Sequence, residues 1–141
     1  MNYLLDTNAC ISYLNNPQSP VRYKLERLNR NAVFVCSVVK AELYFGVMYS
    51  HRPKRNRKKL ELFLKPLGFF PFDDAAAIHY GEIRAELSKA GKLIGPHDLQ
   101  IAATVLTQGA TLVTYNTKEF SRVEGLIIED WEDGEKSGIS P

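Results

Sequence analysis

The feature that most constrains the fold is the alternation of short apolar segments with longer stretches of helical spacing. The apolar segments cover residues 3–5, 33–36 and 111–114. Segments this short and this apolar are typical of strands buried on both faces, and helix-length connections indicate that neighbouring strands run parallel. The sequence therefore predicts one α/β domain, an α/β/α sandwich around a mainly parallel central sheet.

Proline, glycine and short polar side chains mark where the helices begin and end. Pro20 and Pro53 suit the first turn of a helix. Ser37 and Asp73 suit N-caps, and Gly91 suits the end of a helix. The predicted helices cover residues 9–14, 20–28, 38–50, 53–65, 74–90, 95–109 and 117–120, and the remaining strands cover residues 68–71 and 126–128.

Length and composition fit a single globular domain. The chain has 141 residues, of which 45% are hydrophobic and 24% are charged. We expect the domain to occupy residues 1–131 and residues 132–141 to form a flexible C-terminal tail. No apolar run is long enough to cross a membrane, and the first residues lack the basic and apolar regions of a secretory signal. The prediction is a cytoplasmic protein.

Cysteine and histidine usage argues against disulfides and zinc. Cys10 and Cys36 are far apart in the chain and both lie in segments with structured patterns, which favours two buried thiols in a reducing compartment. His51, His79 and His97 have no paired spacing, so a four-ligand zinc site is not expected.

Positive charge is concentrated in one segment, although the net charge of the chain is only +2. Residues 51–59 hold six Lys or Arg and no acid. Such a segment can follow a nucleic-acid backbone, or it can be a solvated face of a helix. The candidates for contact with such a backbone are Arg52, Lys54, Arg55, Arg57 and Lys58.

Three acids stand at positions where apolar side chains would be expected. Asp6 follows the first apolar strand, and Glu42 lies inside the apolar stripe of the helix after residue 37. Asp98 begins an i, i+3, i+4, i+7 stripe in the helix that starts near residue 95. A lone carboxylate on a core-facing stripe is costly unless it is paired or bound to a cation.

Each acid also has an ordinary structural explanation. Asp6 could cap a helix, Glu42 could pair with Arg84, and Asp98 could sit favourably in the first turn of its own helix. All three follow strands or tight loops at one predicted rim of the sheet, where ligands of such sheets bind. Oxygen ligands without His or Cys favour a hard cation, Mg²⁺ or Mn²⁺, and such a site suits phosphodiester hydrolysis.

A fourth contributor is expected after the strand at residues 111–114. Glu119 is the only acid there, and Asn116 is the other candidate. A surface glutamate in a short helical turn would be the ordinary explanation for Glu119. Further side chains that could orient water or ligands from behind the acids are Thr7, Asn8, Ser37 and Thr114.

At these residues the sequence resembles the PIN-domain ribonucleases, and specifically the VapC toxins of bacterial type II toxin–antitoxin pairs. The resemblance covers residues 1 to about 131 in the expected order and spacing. Each motif is short, but the ordered set is specific. The matching stretches are residues 4–8, 37–43 with Gly46, 83–87, Gly91, 94–95, Asp98, 101–103, 112–116 and 119–120.

The resemblance implies a homodimer and a Mg²⁺-dependent endonuclease that cuts structured RNA, either tRNA or ribosomal RNA. It also implies a cognate antitoxin that blocks the acidic pocket. Asp6, Glu42 and Asp98 match the three acids of the family, with Asp6 and Asp98 as metal ligands and Glu42 as a further catalytic residue. Many relatives have Asp where this chain has Asn116, so Glu119 is the candidate fourth catalytic acid.

Three other functions remain open on the sequence alone. A metal-independent ribonuclease would use the histidines and leave a 2′,3′-cyclic phosphate. A non-catalytic RNA- or protein-binding module would use its acids only as helix caps. Aspartyl-phosphate chemistry would need a second acid two residues after Asp6, where Asn8 stands.

Overall fold

Five short parallel strands form one sheet, with helices packed on it, in a computed structural model that describes residues 1–132. This confirms the predicted α/β fold. The strands are β1 (Tyr3–Leu5), β2 (Val33–Cys36), β3 (Gly68–Phe70), β4 (Thr111–Val113) and β5 (Ile128–Glu129). The helices are α1 (Thr7–Asn15), α2 (Pro20–Glu26), α3 (Ser37–Tyr49), α4 (Pro53–Leu64), α5 (Asp74–Lys89), α6 (Pro96–Gln108) and α7 (Thr117–Phe120), with a 3-10 turn at Arg30–Ala32.

The strand order β3-β2-β1-β4-β5 places β1 at the centre of the sheet. The chain steps from β1 outward to β2 and β3, and then crosses back to place β4 on the other side of β1. The direction of winding therefore reverses between β1 and β4. In open parallel sheets such a reversal leaves a crevice at the carboxyl ends of the strands, where ligands bind.

Most of the predicted helix boundaries are confirmed. Pro20 and Pro53 occupy the first turns of α2 and α4. Asp73 caps α5 by accepting a hydrogen bond of 2.9 Å from the Ala76 amide. Gly91 follows the end of α5 with φ of 68°, a conformation that glycine adopts without a Cβ penalty.

Three local predictions were wrong. Ser37 is the first residue of α3 and not its N-cap, because Cys36 holds the cap position without a side-chain hydrogen bond. Helix α2 ends at Glu26, two residues early, since the chain turns there with Arg27 as the C-cap. The last strand is residues 128–129 and not residues 126–128, because its register is fixed by pairing with β4.

The core lies on both faces of the sheet, as the apolar strands require. Leu4, Leu5 and Leu112 have no exposed surface. Cys10 and Cys36 are both free thiols and are buried, as predicted. Among residues 1–132 no helix has the length and apolar character needed to span a membrane.

The described chain ends against the central strand. Trp131 is 2% exposed, contacts Tyr3 edge-to-face and donates a 2.9 Å hydrogen bond to Glu129. Glu132, the first residue of the predicted tail, accepts a hydrogen bond from Ser12 at 3.3 Å. The rest of that predicted tail, residues 133–141, lies outside the described residues.

Candidate active site

Asp6 sits where the central strand ends. Its backbone N–H donates to the Val113 carbonyl at 3.1 Å, which ties the ends of β1 and β4 together. Its side chain accepts a 2.8 Å hydrogen bond from the Ala9 amide, so Asp6 does cap α1. The carboxylate is only 5% exposed and lies at the crevice where the winding of the sheet reverses. The capping role and a role in a site are therefore compatible.

Burial is the main influence on the ionisation of Asp6, because it disfavours the charged form. The negative charges of Asp98 and Glu132 act in the same direction, whereas hydrogen bonds from the Thr114 side chain and the Ala9 amide lower the pKa. Together these influences raise the pKa of Asp6 from 3.8 to about 6. A bound cation would offset the same cost.

Glu42 points from α3 toward the same crevice and has both carboxylate oxygens engaged. Thr7 donates to Oε1 at 2.5 Å, and Nδ1 of His97 lies 3.1 Å from Oε2. The pairing of Glu42 with Arg84 considered from the sequence was wrong. Arg84 is exposed on α5 and donates instead to the hydroxyl of Tyr80, at 3.3 Å.

Asp98 lies in the first turn of α6 and is partly buried. Burial raises its pKa first, and the nearby charges of Glu119 and Glu42 raise it further, while His97 lowers it. Asp98 in turn raises the pKa of Asp6. Asp98 is thus close enough to each of the other three acids for their charges to interact. We call Asp6, Glu42, Asp98 and Glu119 the acidic site.

Asn116 and Glu119, the two candidates for the fourth position, contact each other. The Asn116 side-chain amide donates to Oε1 of Glu119 at 3.3 Å. The backbone N–H of Asn116 donates to the hydroxyl of Thr114 at 2.9 Å, and Thr114 is 1% exposed. Asn116 therefore helps to orient Glu119, and Glu119 is the member of the pair whose charge acts on Asp98.

The other candidates divide into residues that contact the acids and residues that do not. Thr7 donates a hydrogen bond to Glu42, and the side chain of Thr114 hydrogen-bonds to Asp6. Asn8 is exposed on α1 and Ser37 opens α3, and neither side chain makes a hydrogen bond within residues 1–132.

Sequence reasoning missed two contributors to the environment of the acidic site. His97 was discounted because it adjoins Asp98, yet it reaches across to Glu42 on α3. Glu132 was assigned to the tail, yet its charge acts on Asp6. Both interactions join elements that are distant in the chain, so no local pattern pointed to either.

The donor set fits a hard divalent cation. The acids offer only carboxylate oxygens, and burial together with neighbouring negative charge makes the charged forms of Asp6 and Asp98 costly. Within the described chain no three His, Cys, Asp or Glu side chains are grouped closely enough to hold a metal on their own. Mg²⁺ does not require such a group, because it usually binds one or two carboxylates and keeps several waters.

Loss of the His97 side chain should free one oxygen of Glu42. We expect His97→Ala to lower the rate of RNA cleavage by about tenfold, since removing a partner that orients a site residue typically costs roughly 10- to 100-fold. His97→Gln should recover part of the rate by donating from its amide. The measurement is the cleavage rate as a function of Mg²⁺ concentration.

A rate and a Mg²⁺ dependence that are unchanged in His97→Ala would show that the contact with Glu42 is incidental. If the wild type cleaves RNA in the presence of EDTA and His97→Ala does not cleave at all, the result would instead indicate histidine chemistry.

The basic residues occupy α4 and the turn before it. Arg57 is partly engaged, because it pairs with Glu61 at 3.2 Å and lies over the ring of Tyr44. Helical spacing puts Arg55, Asn56 and Lys59 on one flank of α4. Lys59, which was not among the sequence candidates, lines a groove that also includes Glu42. Of the basic residues on α4, Lys59 is therefore the best placed to contact a molecule that binds in this groove.

Comparison with known proteins agrees with this architecture. The PIN domain family profile matches residues 3–126. Ribonuclease VapC2 of Rickettsia felis is 41% identical over 133 residues, which cover 94% of this chain and 99% of the relative. The tRNA(fMet)-specific endonuclease VapC of Shigella flexneri is 40% identical over 131 residues, 93% of this chain and 98% of the relative. The structure of VapBC2 from Rickettsia felis bound to a promoter DNA fragment gives a TM-score of 0.87 at 40% identity, covering 93% of this chain and 99% of that chain.

The match over residues 3–126, together with the five-stranded parallel sheet, shows that the chain belongs to the PIN-domain family. Within that family its relatives are VapC ribonucleases, matched over nearly their whole length. The resemblance found in the sequence is confirmed.

Proposed function

We propose that this protein is the toxin of a type II toxin–antitoxin pair and a Mg²⁺- or Mn²⁺-dependent endoribonuclease. The observation that carries the proposal is the position of Asp98 at the crevice between β1 and β4, where its charge interacts with those of Asp6, Glu42 and Glu119 and where burial raises the pKa values of Asp6 and Asp98. Relatives named as ribonucleases over nearly the full chain support the same activity.

Each acid has a distinct part in the proposed hydrolysis. Asp6 and Asp98 hold the cation, since both are partly or fully withdrawn from water and need compensation of their charge. Glu42, fixed by Thr7 and His97, orients the attacking water, with Glu119 assisting from α7. A bound cation would lower the pKa of water and neutralise charge developing on the phosphate. The products carry a 5′-phosphate and a 3′-hydroxyl.

The substrate we propose is structured RNA, with tRNA favoured over ribosomal RNA. The support is the Shigella flexneri relative, which is named a tRNA(fMet)-specific endonuclease and is 40% identical. The basic helix α4 lies on the same side of α3 as the groove that includes Glu42, so it can bind the RNA backbone. Contacts between these basic side chains and phosphates would give the protein an affinity for RNA that does not depend on the nucleotide sequence.

The proposed partners are a cognate antitoxin and a second copy of the chain in the cytoplasm. A solved VapBC2 complex of Rickettsia felis supports the antitoxin. An exposed apolar face on α3 supports the homodimer: Phe45, Met48 and Tyr49 are 67%, 50% and 82% exposed. Tyr49 and Phe69 are both exposed in the single chain, whereas Phe70 is buried.

The test is cleavage of total bacterial RNA by purified, antitoxin-free protein, with Mg²⁺ or with EDTA, followed by mapping of the product ends. We expect discrete cuts that require Mg²⁺ and leave 5′-phosphates. Cleavage in EDTA with 2′,3′-cyclic phosphate ends would favour the histidine ribonuclease. Absence of cleavage, together with RNA binding that tolerates loss of the acids, would favour the non-catalytic binding module.

Removal of single charges from α4 tests the proposed contact with the RNA backbone. We expect Lys59→Ala to weaken RNA binding and to reduce the slope of log Kd against log salt by about 0.7 to 0.9, as for one lost phosphate contact. Lys58→Ala removes the same charge from the neighbouring position, outside the groove lining, and should change the slope less. Equal slopes in both variants and in the wild type would mean that α4 does not bind the RNA backbone at Lys59.

A further inference from the structure

A groove of about 270 Å³ opens beside the acidic site, between α1, α3 and α4. It begins at Glu42 and follows α3 past Gly46 to Ser50. Because residues of an α-helix rise about 1.5 Å each, this path is roughly 12 Å long. The acidic site therefore continues directly into a second cavity that the four acids do not explain.

The lining of the groove combines an apolar floor with a polar rim. Ile11, Leu14, Val47 and Leu60 supply aliphatic surface from all three helices. Asn15, Asn56 and Lys59 stand at the rim. Asn56 donates from its amide to the Ser50 hydroxyl at 2.9 Å, which leaves its carbonyl oxygen as an acceptor. A ligand in this groove would be flat or narrow, largely apolar on its faces, and polar at its edge.

Gly46 keeps the groove open. It lies within α3, where glycine is less favourable than alanine, and a Cβ built there would meet no atom within 4 Å. Neither the backbone conformation nor packing within the chain accounts for glycine at this position. A methyl group at this position would leave the groove open, whereas a large side chain would extend into it.

We propose that the groove is a nucleobase subsite, which holds one base of the RNA next to the bond that is cut. The volume is slightly below the roughly 300 to 1,000 Å³ of pockets for drug-sized ligands, which suits a single ring system. Single-stranded RNA is recognised through bases that are splayed out, packed on their faces and hydrogen-bonded at their edges. The aliphatic floor serves the faces, and Asn15 and Asn56 serve the edge.

Charge favours RNA in the groove over an apolar ligand of another kind. Lys59 places an exposed ammonium group at the rim, and Arg55 lies on the same flank of α4. A nucleotide whose phosphate contacts Lys59 can place its base on the apolar floor, while the chain continues to the acidic site at Glu42. This inference rests on the proposed function, because it takes RNA as the molecule that reaches Glu42.

The experiment is a titration of the full-length protein, with ¹³C-labelled methyl groups, by each of the four 5′-nucleoside monophosphates. Ribose 5-phosphate is the matched ligand without a base. Gly46→Leu fills the groove, and Gly46→Ala is its matched control, because it adds a methyl group and helix propensity without filling the space. Ile11→Phe blocks the groove from the facing helix, in case Gly46→Leu does not fold.

We expect saturable shifts of the Leu14, Val47 and Leu60 methyl groups with at least one nucleotide, in the wild type and in Gly46→Ala. Ribose 5-phosphate should not reproduce them, and Gly46→Leu or Ile11→Phe should weaken binding roughly tenfold or more, because the cavity is filled. Spectra of the remaining core methyl groups show whether each variant is folded.

Several outcomes would overturn the subsite. These are equal shifts with ribose 5-phosphate, nucleotide shifts that persist in both folded blocking variants, and no saturable shift with any nucleotide. If the methyl groups of the groove shift only when the antitoxin is added, the groove binds a peptide and not a nucleobase. The proposed function is tested separately: nucleotide binding without Mg²⁺-dependent cleavage would reject the ribonuclease alone, and cleavage without nucleotide binding would reject the subsite alone.

Discussion

Replacement of Asp98 by asparagine is expected to abolish RNA cleavage while leaving the fold intact. Asp98 is the acid on which the charges of Glu119 and Glu42 both act, so it lies at the centre of the acidic site. Asparagine keeps the shape of the side chain but removes the charge that would bind the cation. We expect the rate to fall by roughly 10²- to 10³-fold or more, as for loss of a major electrostatic contribution to a transition state.

The measurement is single-turnover cleavage of the mapped RNA at saturating Mg²⁺, with circular dichroism as the check of folding. Asp74→Asn is the matched control. It makes the same substitution at an exposed acid that also lies in the first turn of a helix, α5, but is not part of the acidic site. Wild-type rates from folded Asp98→Asn would show that the acidic site is not the catalytic centre.

Asp6→Asn is expected to make the metal-free protein more stable at neutral pH, although it removes a proposed metal ligand. Burial raises the pKa of Asp6 from 3.8 to about 6, so the folded state disfavours the charged carboxylate. A difference of about two pKa units corresponds to at most about 3 kcal/mol in the free energy of unfolding. Asparagine removes this cost and can still accept the hydrogen bond from the Ala9 amide.

The effect has a defined dependence on pH. Below the ordinary pKa of 3.8, Asp6 is protonated in both states and contributes no penalty. As the pH rises toward about 6, the unfolded chain loses its proton while the folded chain keeps it, so stability falls. Above about 6 the penalty is fully present. The gain from Asp6→Asn should therefore be greatest at neutral pH and nearly absent near pH 4.

Urea unfolding in EDTA at both pH values measures this gain. Asp73→Asn is the matched control, because Asp73 makes the same cap contact, to the Ala76 amide at 2.9 Å, but is exposed. We expect little change there. Added Mn²⁺ should stabilise the wild type more than Asp6→Asn. A lower stability of Asp6→Asn in EDTA at neutral pH would contradict this account of Asp6.

Features that depend on residues close together in the chain could be predicted from the sequence, whereas features that depend on pairing between distant segments could not. The cap at Asp73 and the helix start at Pro53 were correct because they depend on groups only a few residues apart. The error at the last strand arose because the pairing of β5 with β4 depends on a register between segments separated in the chain. Ser37 was misassigned by one position, because Cys36 holds the N-cap of α3 without the side-chain hydrogen bond that a cap residue usually makes.

The sequence by itself determined the fold class and the acids. Alternation of apolar strands with helical spacing requires parallel strands covered by helices, and a carboxylate within an apolar stripe stands out because burying its charge is costly. Asp6, Glu42 and Asp98 could be named on that basis.

Only the tertiary structure decided which groups surround those acids. It brought His97 and Thr7 to Glu42, Asn116 to Glu119, and the charge of Glu132 to Asp6. It also opened the groove between α1, α3 and α4, of which α1 follows β1 and the other two follow β2. The physical reason is range: local patterns encode the buried face and the ends of an element, whereas contacts across a site depend on how elements distant in the chain pack together.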